Sequence, residues 1–232
     1  MRTRIKICGL TRPEDVDAAV EAGVDAIGLV FYPASPRFVE IETARQLVRR
    51  LPAWMACVGL FVNASREQIL RTSDAVGLSH LQLHGDETPM DCQGFGRPVI
   101  KAIRLPAGPM SPNSQGGLDG SALIKLTQPY GDCAAVLFDA DSAGFGGSGQ
   151  SFDWRCLADS ASTLGRTWVL SGGLSLDNVA DAVKRLRPPA VDVSSGVEQI
   201  VDGRPQKGIK DPVRIQAFVN AVRMADQDME KR

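Results

Sequence analysis

Short apolar runs recur along the chain at nearly even spacing, each bounded by polar or glycine-rich stretches. They are RIKIC (4–8), AIGLVFY (26–32), ACVGLFV (56–62), HLQLH (80–84), PVIKAIRL (98–105), AAVLFDA (134–140), TWVLSG (167–172) and AVDVSS (190–195). Each is rich in Val, Ile and Leu and suits a strand buried on both faces. Helix signals lie between them. Thr11 has Glu14 three residues on, a capping-box spacing, and DVDAAVEAG then ends on Gly23. Residues 42–51 predict a second helix, and Ser65 with Gln68 opens a third. A short helix is expected near 87–93 and another over 119–128. Asp153 and Ser175 are candidate caps for the next two, and Asp211 before Pro212 starts the last, near 212–226.

Eight such units in 232 residues allow about 29 residues each, enough for a strand, a helix and two loops. That rhythm points to an α/β protein with a closed (β/α)8 barrel, a TIM barrel, as a single domain over 1–232. The competitor is an open doubly wound sheet, which usually has fewer strands and one dominant Gly-rich turn. Two stretches break the rhythm. Residues 106–120, PAGPMSPNSQGGLDG, predict a long loop after the fifth strand, and 198–211, EQIVDGRPQKGIKD, a polar connection between the eighth strand and the last helix.

Composition narrows the function classes. Aromatic residues are 6% of the chain, so the core must be mainly aliphatic. With 26 basic and 27 acidic residues, net −1, the chain gives no support for binding nucleic acid or a membrane surface. No apolar run approaches the length of a transmembrane helix, and the N-terminus is too polar for a signal peptide. The cysteines (Cys8, Cys57, Cys92, Cys133, Cys156) are odd in number and form no CxxC pair. Free thiols in a cytoplasmic protein are the expectation.

Barrels of this kind work at the C-terminal ends of their strands. Cys8 ends the first strand, His84 the fourth and Asp139 the sixth; Gly172 and Gly173 end the seventh, Ser194, Ser195 and Gly196 the eighth, and Arg37 follows the second. Such convergence on one rim points to an enzyme. Cys8 is either a small buried apolar residue or a thiolate serving as nucleophile or base. Lys6, two residues earlier, shares its strand face; its ammonium either favours that thiolate or plugs the barrel interior. Asp139 closes an apolar strand and suits a general acid, or else a loop cap. The adjacent glycines and serines after strands 7 and 8 offer backbone amides and hydroxyls to a phosphate.

GFGGSG (144–149) matches a dinucleotide fingerprint in letters only, because no acidic residue follows at the expected offset and no helix follows directly. His80 and His84 on a strand would stand about 13 Å apart, too far to share a metal ion. His84 is left as a ligand contact or a structural residue.

KICGLT, GLVFYPASPR, LQLHGDE, LFDAD with GGSGQSFDW, LSGGLSLDNV and VDVSSGVE occur in this order. Together they resemble phosphoribosylanthranilate isomerases of tryptophan biosynthesis, over about residues 4–222. The resemblance implies a (β/α)8 barrel with no metal and no organic cofactor. It implies Cys8 as general base, Asp139 as general acid, and Arg37 orienting the anthranilate part. Gly147, Gly172, Gly173, Ser194, Ser195 and Gly196 would surround the ribose phosphate, and His84 and Asp192 would hold sugar hydroxyls. The partner is then a small-molecule phosphosugar, with a monomer as the default and a homodimer as the alternative. The 106–120 loop and the 198–207 stretch are longer than the family's usual pattern.

Three other readings stay open at this point. A ribulose-phosphate epimerase would need metal ligands on several strand ends, and only two histidines exist. An indole-glycerol-phosphate synthase would need a lysine–glutamate pair; Lys6 and Lys101 are available, with no evident glutamate. A phosphometabolite-binding protein would keep the barrel without the chemistry.

Overall fold

The structure is a computed structural model, and it describes residues 2–108, 120–141, 151–158, 164 and 168–231. The chain alternates strands and helices: β1 (Arg4–Cys8), α1 (Pro13–Glu21), β2 (Ala26–Val30), α2 (Ile41–Val48), β3 (Ala56–Phe61), α3 (Arg66–Val76), β4 (His80–Leu83), β5 (Val99–Leu105), α4 (Gly120–Thr127), β6 (Ala135–Ala140), α5 (Arg155–Ala158), β7 (Trp168–Leu170), α6 (Val179–Leu186), β8 (Ala190–Val193), β9 (Glu198–Val201), β10 (Arg204–Lys210) and α7 (Pro212–Glu230). Strands β1 to β8 are all parallel and close into a barrel, with β8 paired back to β1. All eight expected strands are present. Several end earlier than their apolar runs because burial continues beyond the hydrogen-bonded ladder, as at Phe31 and Val62.

Each strand alternates between two apolar layers. Ile5 and Ile7 of β1, Val136 and Phe138 of β6, and Val191 and Val193 of β8 join the large core between sheet and helices. The alternate positions face the barrel interior, where Ala102, Leu137 and Val169 pack together and Cys8, Val30, Leu60 and Val62 form a second small cluster. Lys6, Cys8, Gln82, His84, Asp139 and Asp192 therefore share the inner face.

The caps differ in part from the sequence expectation. Ser65 Oγ accepts from Gln68 N–H at 3.2 Å, and Asp211 accepts from Val213 and Arg214 N–H, both as expected. Thr11 does not cap α1: the helix starts at Pro13, and the Thr11 hydroxyl donates to the Gly208 carbonyl at 2.6 Å. Helix α6 starts four residues after Ser175, and a 3-10 turn at Met90–Cys92 stands where the short helix was expected. Of the loop at 106–120, residues 109–119 lie outside the described residues.

The stretch read as a polar connection is a hairpin. β9 and β10 pair antiparallel around Asp202–Gly203, both at positive φ (50° and 73°), as a two-residue turn requires. Counting outward from the turn would set Glu198 against Lys207. A register shift between Pro205 and Lys210 sets it against Lys210 instead.

Candidate active site

Cys8 stands at the end of β1 with 5% of its surface exposed. Room for its sulfur comes from Gly28 opposite it on β2: a β-carbon there would lie 2.6 Å from Cys8 Sγ and 3.0 Å from Lys6 Nζ. Lys6 is buried and bonded to Asp192 Oδ1 at 2.9 Å, its neighbour in the β1–β8 register. Burial disfavours the Lys6 ammonium, but Asp192 and the adjacent Cys8 hold its pKa above the ordinary value. Burial holds the Cys8 thiol above its ordinary pKa; the Lys6 ammonium pulls it back in part, the Asp192 carboxylate adds to the rise, and Lys210 lowers it more weakly. Lys6 is thus an inward cation that favours the thiolate, and Asp192 fixes it in place.

On β6, Asp139 is 6% exposed, and its Oδ1 accepts from the Ala140 N–H at 2.9 Å. Its Oδ2 lies 3.2 Å from His84 Nε2. That nitrogen is buried and makes no hydrogen bond among the described residues, while Nδ1 meets Gln82 Nε2 at 2.9 Å. The histidine ring is oriented by Gln82 and turned towards the carboxyl.

Arg37, in the loop after β2, is 5% exposed and forks the wholly buried Glu198. Nε meets Oε1 at 2.7 Å and Nη2 meets Oε2 at 3.0 Å, the bidentate geometry that fixes a guanidinium plane. Lys210 Nζ bonds the same carboxylate at 3.2 Å and reaches the Ser194 carbonyl at 3.0 Å. Burial works against the Glu198 carboxylate, but Arg37, Lys210 and the Gly208 N–H hold its pKa below the ordinary value. Burial pushes Lys210 down to about 8 despite Glu198.

The loops after β7 and β8 touch. A β-carbon at Gly196 would lie 2.0 Å from the Leu174 carbonyl oxygen, and one at Gly172 would lie 2.8 Å from the Ala140 nitrogen. The glycines bring three strand ends within backbone contact. A cavity of about 200 Å³ opens here, lined by Arg37, Glu198, Gly173, Ser195 and Gly196 together with Lys207 and Arg214. Gly147 lies outside the described residues, as does all of GFGGSG.

The structure thus brings Cys8, Lys6 and Asp192 together, Asp139 with His84, and Arg37 with the loops after β7 and β8. Sequence reading missed Glu198 and Lys210. The signal was Asp202–Gly203, a hairpin turn that brings Glu198 against the following strand; counting from it reaches Lys207, and the register shift that brings Lys210 left no mark in the sequence. It also found no glutamate for Lys101. Glu87 is that partner, at 2.8 Å, but Lys101 alternates with the inward Ile100 and Ala102 and faces the outer layer. The pair lies on the outer layer, not on the inner face that carries Lys6, Cys8, Asp139 and Asp192.

A family model described as N-(5'-phosphoribosyl)anthranilate (PRA) isomerase matches residues 5–221. The chain is 51% identical to an N-(5'-phosphoribosyl)anthranilate isomerase of Leptothrix cholodnii, covering 97% of this chain and 93% of the relative. It is 48% identical to the one from Dechloromonas aromatica, covering 99% and 100%. Among solved structures, the phosphoribosyl anthranilate isomerase of Thermotoga maritima superposes with a TM-score of 0.80 at 36% identity, over 96% of this chain and 99% of that one. A phosphoribosyl anthranilate isomerase in complex with reduced 1-(o-carboxyphenylamino)-1-deoxyribulose 5-phosphate superposes at 0.78 and 35% identity, over the same shares. The chain belongs to the N-(5'-phosphoribosyl)anthranilate isomerase family.

Proposed function

We propose that this chain isomerises N-(5'-phosphoribosyl)anthranilate to 1-(2-carboxyphenylamino)-1-deoxyribulose 5-phosphate, with Asp139 as general acid and Cys8 as general base. Asp139 protonates the furanose ring oxygen, and the ring opens to a Schiff base. The Cys8 thiolate removes the proton at C2, giving an enolamine, and tautomerisation yields the ketose. This Amadori rearrangement moves protons with no net redox change, so two proton-transfer groups and firm binding of both substrate ends suffice. Arg37 receives the aromatic carboxylate. Gly147, Gly172, Gly173, Ser194, Ser195 and Gly196 receive the phosphate through amides and hydroxyls. Asp192 and His84 contact the sugar hydroxyls, besides fixing Lys6 and facing Asp139.

The observation that carries this reading is a buried thiol and a buried carboxyl on the inner face at the ends of β1 and β6. The working unit is one barrel domain over 1–232, taken as a monomer in a reducing cytoplasm, where Cys8 stays a free thiol. No helix among the described residues is long and apolar enough to cross a membrane. Purified protein mixed with fresh substrate should remove anthranilate-adduct fluorescence faster than spontaneous breakdown does. Cys8→Ala and Asp139→Asn should each fold and lose about 10²–10⁴-fold in kcat. Wild-type turnover in either variant removes that residue from the mechanism.

A further inference from the structure

Two buried cations share one buried carboxylate at the barrel mouth, and the proton transfers use neither Glu198 nor Lys210. The Glu198 carboxylate accepts from Arg37 Nε, Arg37 Nη2, the Gly208 N–H and Lys210 Nζ. Oε1 takes three of these bonds and Oε2 one, and the whole side chain is buried, so the carboxylate is held by two cations and a backbone N–H rather than turned to substrate. Its lowered pKa keeps it ionised at neutral pH. Its role is geometric.

The geometry spans both ends of the proposed ligand. On one side, Glu198 holds the guanidinium plane of Arg37. On the other, Lys210 bonds the carbonyl and hydroxyl of Ser194 at 3.0 and 3.3 Å, on the loop after β8. Arg37, Glu198, the β9–β10 hairpin and the glycine and serine loops line one cavity of about 200 Å³. A buried ion cluster is poor value for stability alone, since well-packed apolar residues often serve as well or better. It does fix directions.

We propose that Glu198 and Lys210 are positioning residues for the isomerisation: Glu198 aims Arg37 at the aromatic carboxylate of the substrate, and Lys210 ties that arm to the phosphate-binding end of β8. This rests on the isomerase reading above. Glu198→Gln replaces two acceptor oxygens by one and turns an amide N–H2 towards cations, so the fork to Arg37 is lost. Lys210→Met cuts the tie to Ser194 and leaves the fork in place.

The test is steady-state kinetics on the full chain, with a double variant. Loss of one charge-assisted bond corresponds to about tenfold or more in binding. Glu198→Gln should raise KM at least about tenfold with kcat within about threefold, and Lys210→Met should raise KM by a smaller factor. Adding Glu198→Gln to Arg37→Met should raise KM no further than Arg37→Met alone, because the carboxylate acts through the guanidinium. A purely structural defect would instead add in the double variant. If Glu198→Gln does not fold, Glu198→Asp keeps the charge, shortens the reach and carries the same comparison. No turnover by the wild type overturns the isomerase reading and this proposal with it. Wild-type turnover with KM unchanged in both single variants, or with additive effects in the double variant, overturns the positioning proposal alone.

Discussion

At the scale of single residues, the thiol of Cys8 occupies the place where a side chain on Gly28 would stand. Gly28 sits in the middle of the β2 ladder, paired with Cys8 on one side and Val58 on the other, so its backbone cannot drift to make room. A methyl group 2.6 Å from Sγ must displace the sulfur, Lys6 or both. Gly28→Ala should therefore keep the barrel and lose about tenfold or more in kcat, a larger loss than its effect on KM, because proton transfer depends on placement within fractions of an ångström. Circular dichroism checks the fold and single-turnover rates check the chemistry; an unchanged rate would remove the steric link between Gly28 and the base. The strand-end places of Cys8 and Asp139 were legible in the sequence, because apolar runs mark where strands end and barrels gather polar groups there. What it could not give is the state of those groups. Whether Lys6 favoured the thiolate or merely plugged the barrel depended on Asp192, which lies 186 residues away in sequence and beside it in register.

Among the elements, parallel strands were legible and the hairpin was not, for one physical reason. A strand buried on both faces is an apolar run, whereas β9 and β10 are largely exposed and mix polar residues with a few apolar ones. Even with its turn recognised, the pairing would have come out wrong, since simple counting brings Lys207 to Glu198. The register shift is made possible by Gly208, which adopts φ +85 and donates its N–H to Glu198 at 2.9 Å. Gly208→Ala should cost about 1–2 kcal/mol, from a backbone conformation that side chains rarely adopt. A β-carbon there would also press to 3.2 Å on the Pro36 carbonyl oxygen. If the bulge sets the position of Lys210, the same variant should raise KM, and Gly208→Asn, which tolerates positive φ better, should do so less. Urea unfolding and steady-state kinetics on the two variants check this; a stability loss with unchanged KM would leave the bulge with a structural role only.

For the whole molecule, a net charge of −1 conceals a barrel mouth in which cations and carboxylates are buried together: Lys6 with Asp192, Arg37 and Lys210 with Glu198. Counts over the chain could not reveal this, because burial and pairing set the energy of a charge, and both depend on closure of the barrel. Lys210 makes the consequence measurable. Its pKa in the fold is about 8, against an ordinary value of 10.5. Between those values the unfolded chain holds a proton that the folded chain has released, so this residue makes stability rise with pH across that window. Below pH 8 the fold carries the cost of a buried ammonium. From pH 7.0 to 9.5 the wild type should gain roughly 1–2 kcal/mol from this group, which Lys210→Met cannot gain. Comparing the two forms cancels the titration of the thiols Cys57 and Cys156, pushed up by desolvation to about 12 and about 11, which acts in both alike and in the opposite direction above pH 9. Urea midpoints measured at the two pH values should show wild-type stability rising relative to Lys210→Met at pH 9.5. An equal difference at both would mean that Lys210 keeps its ordinary affinity for the proton, and that Glu198 fully offsets the cost of its burial.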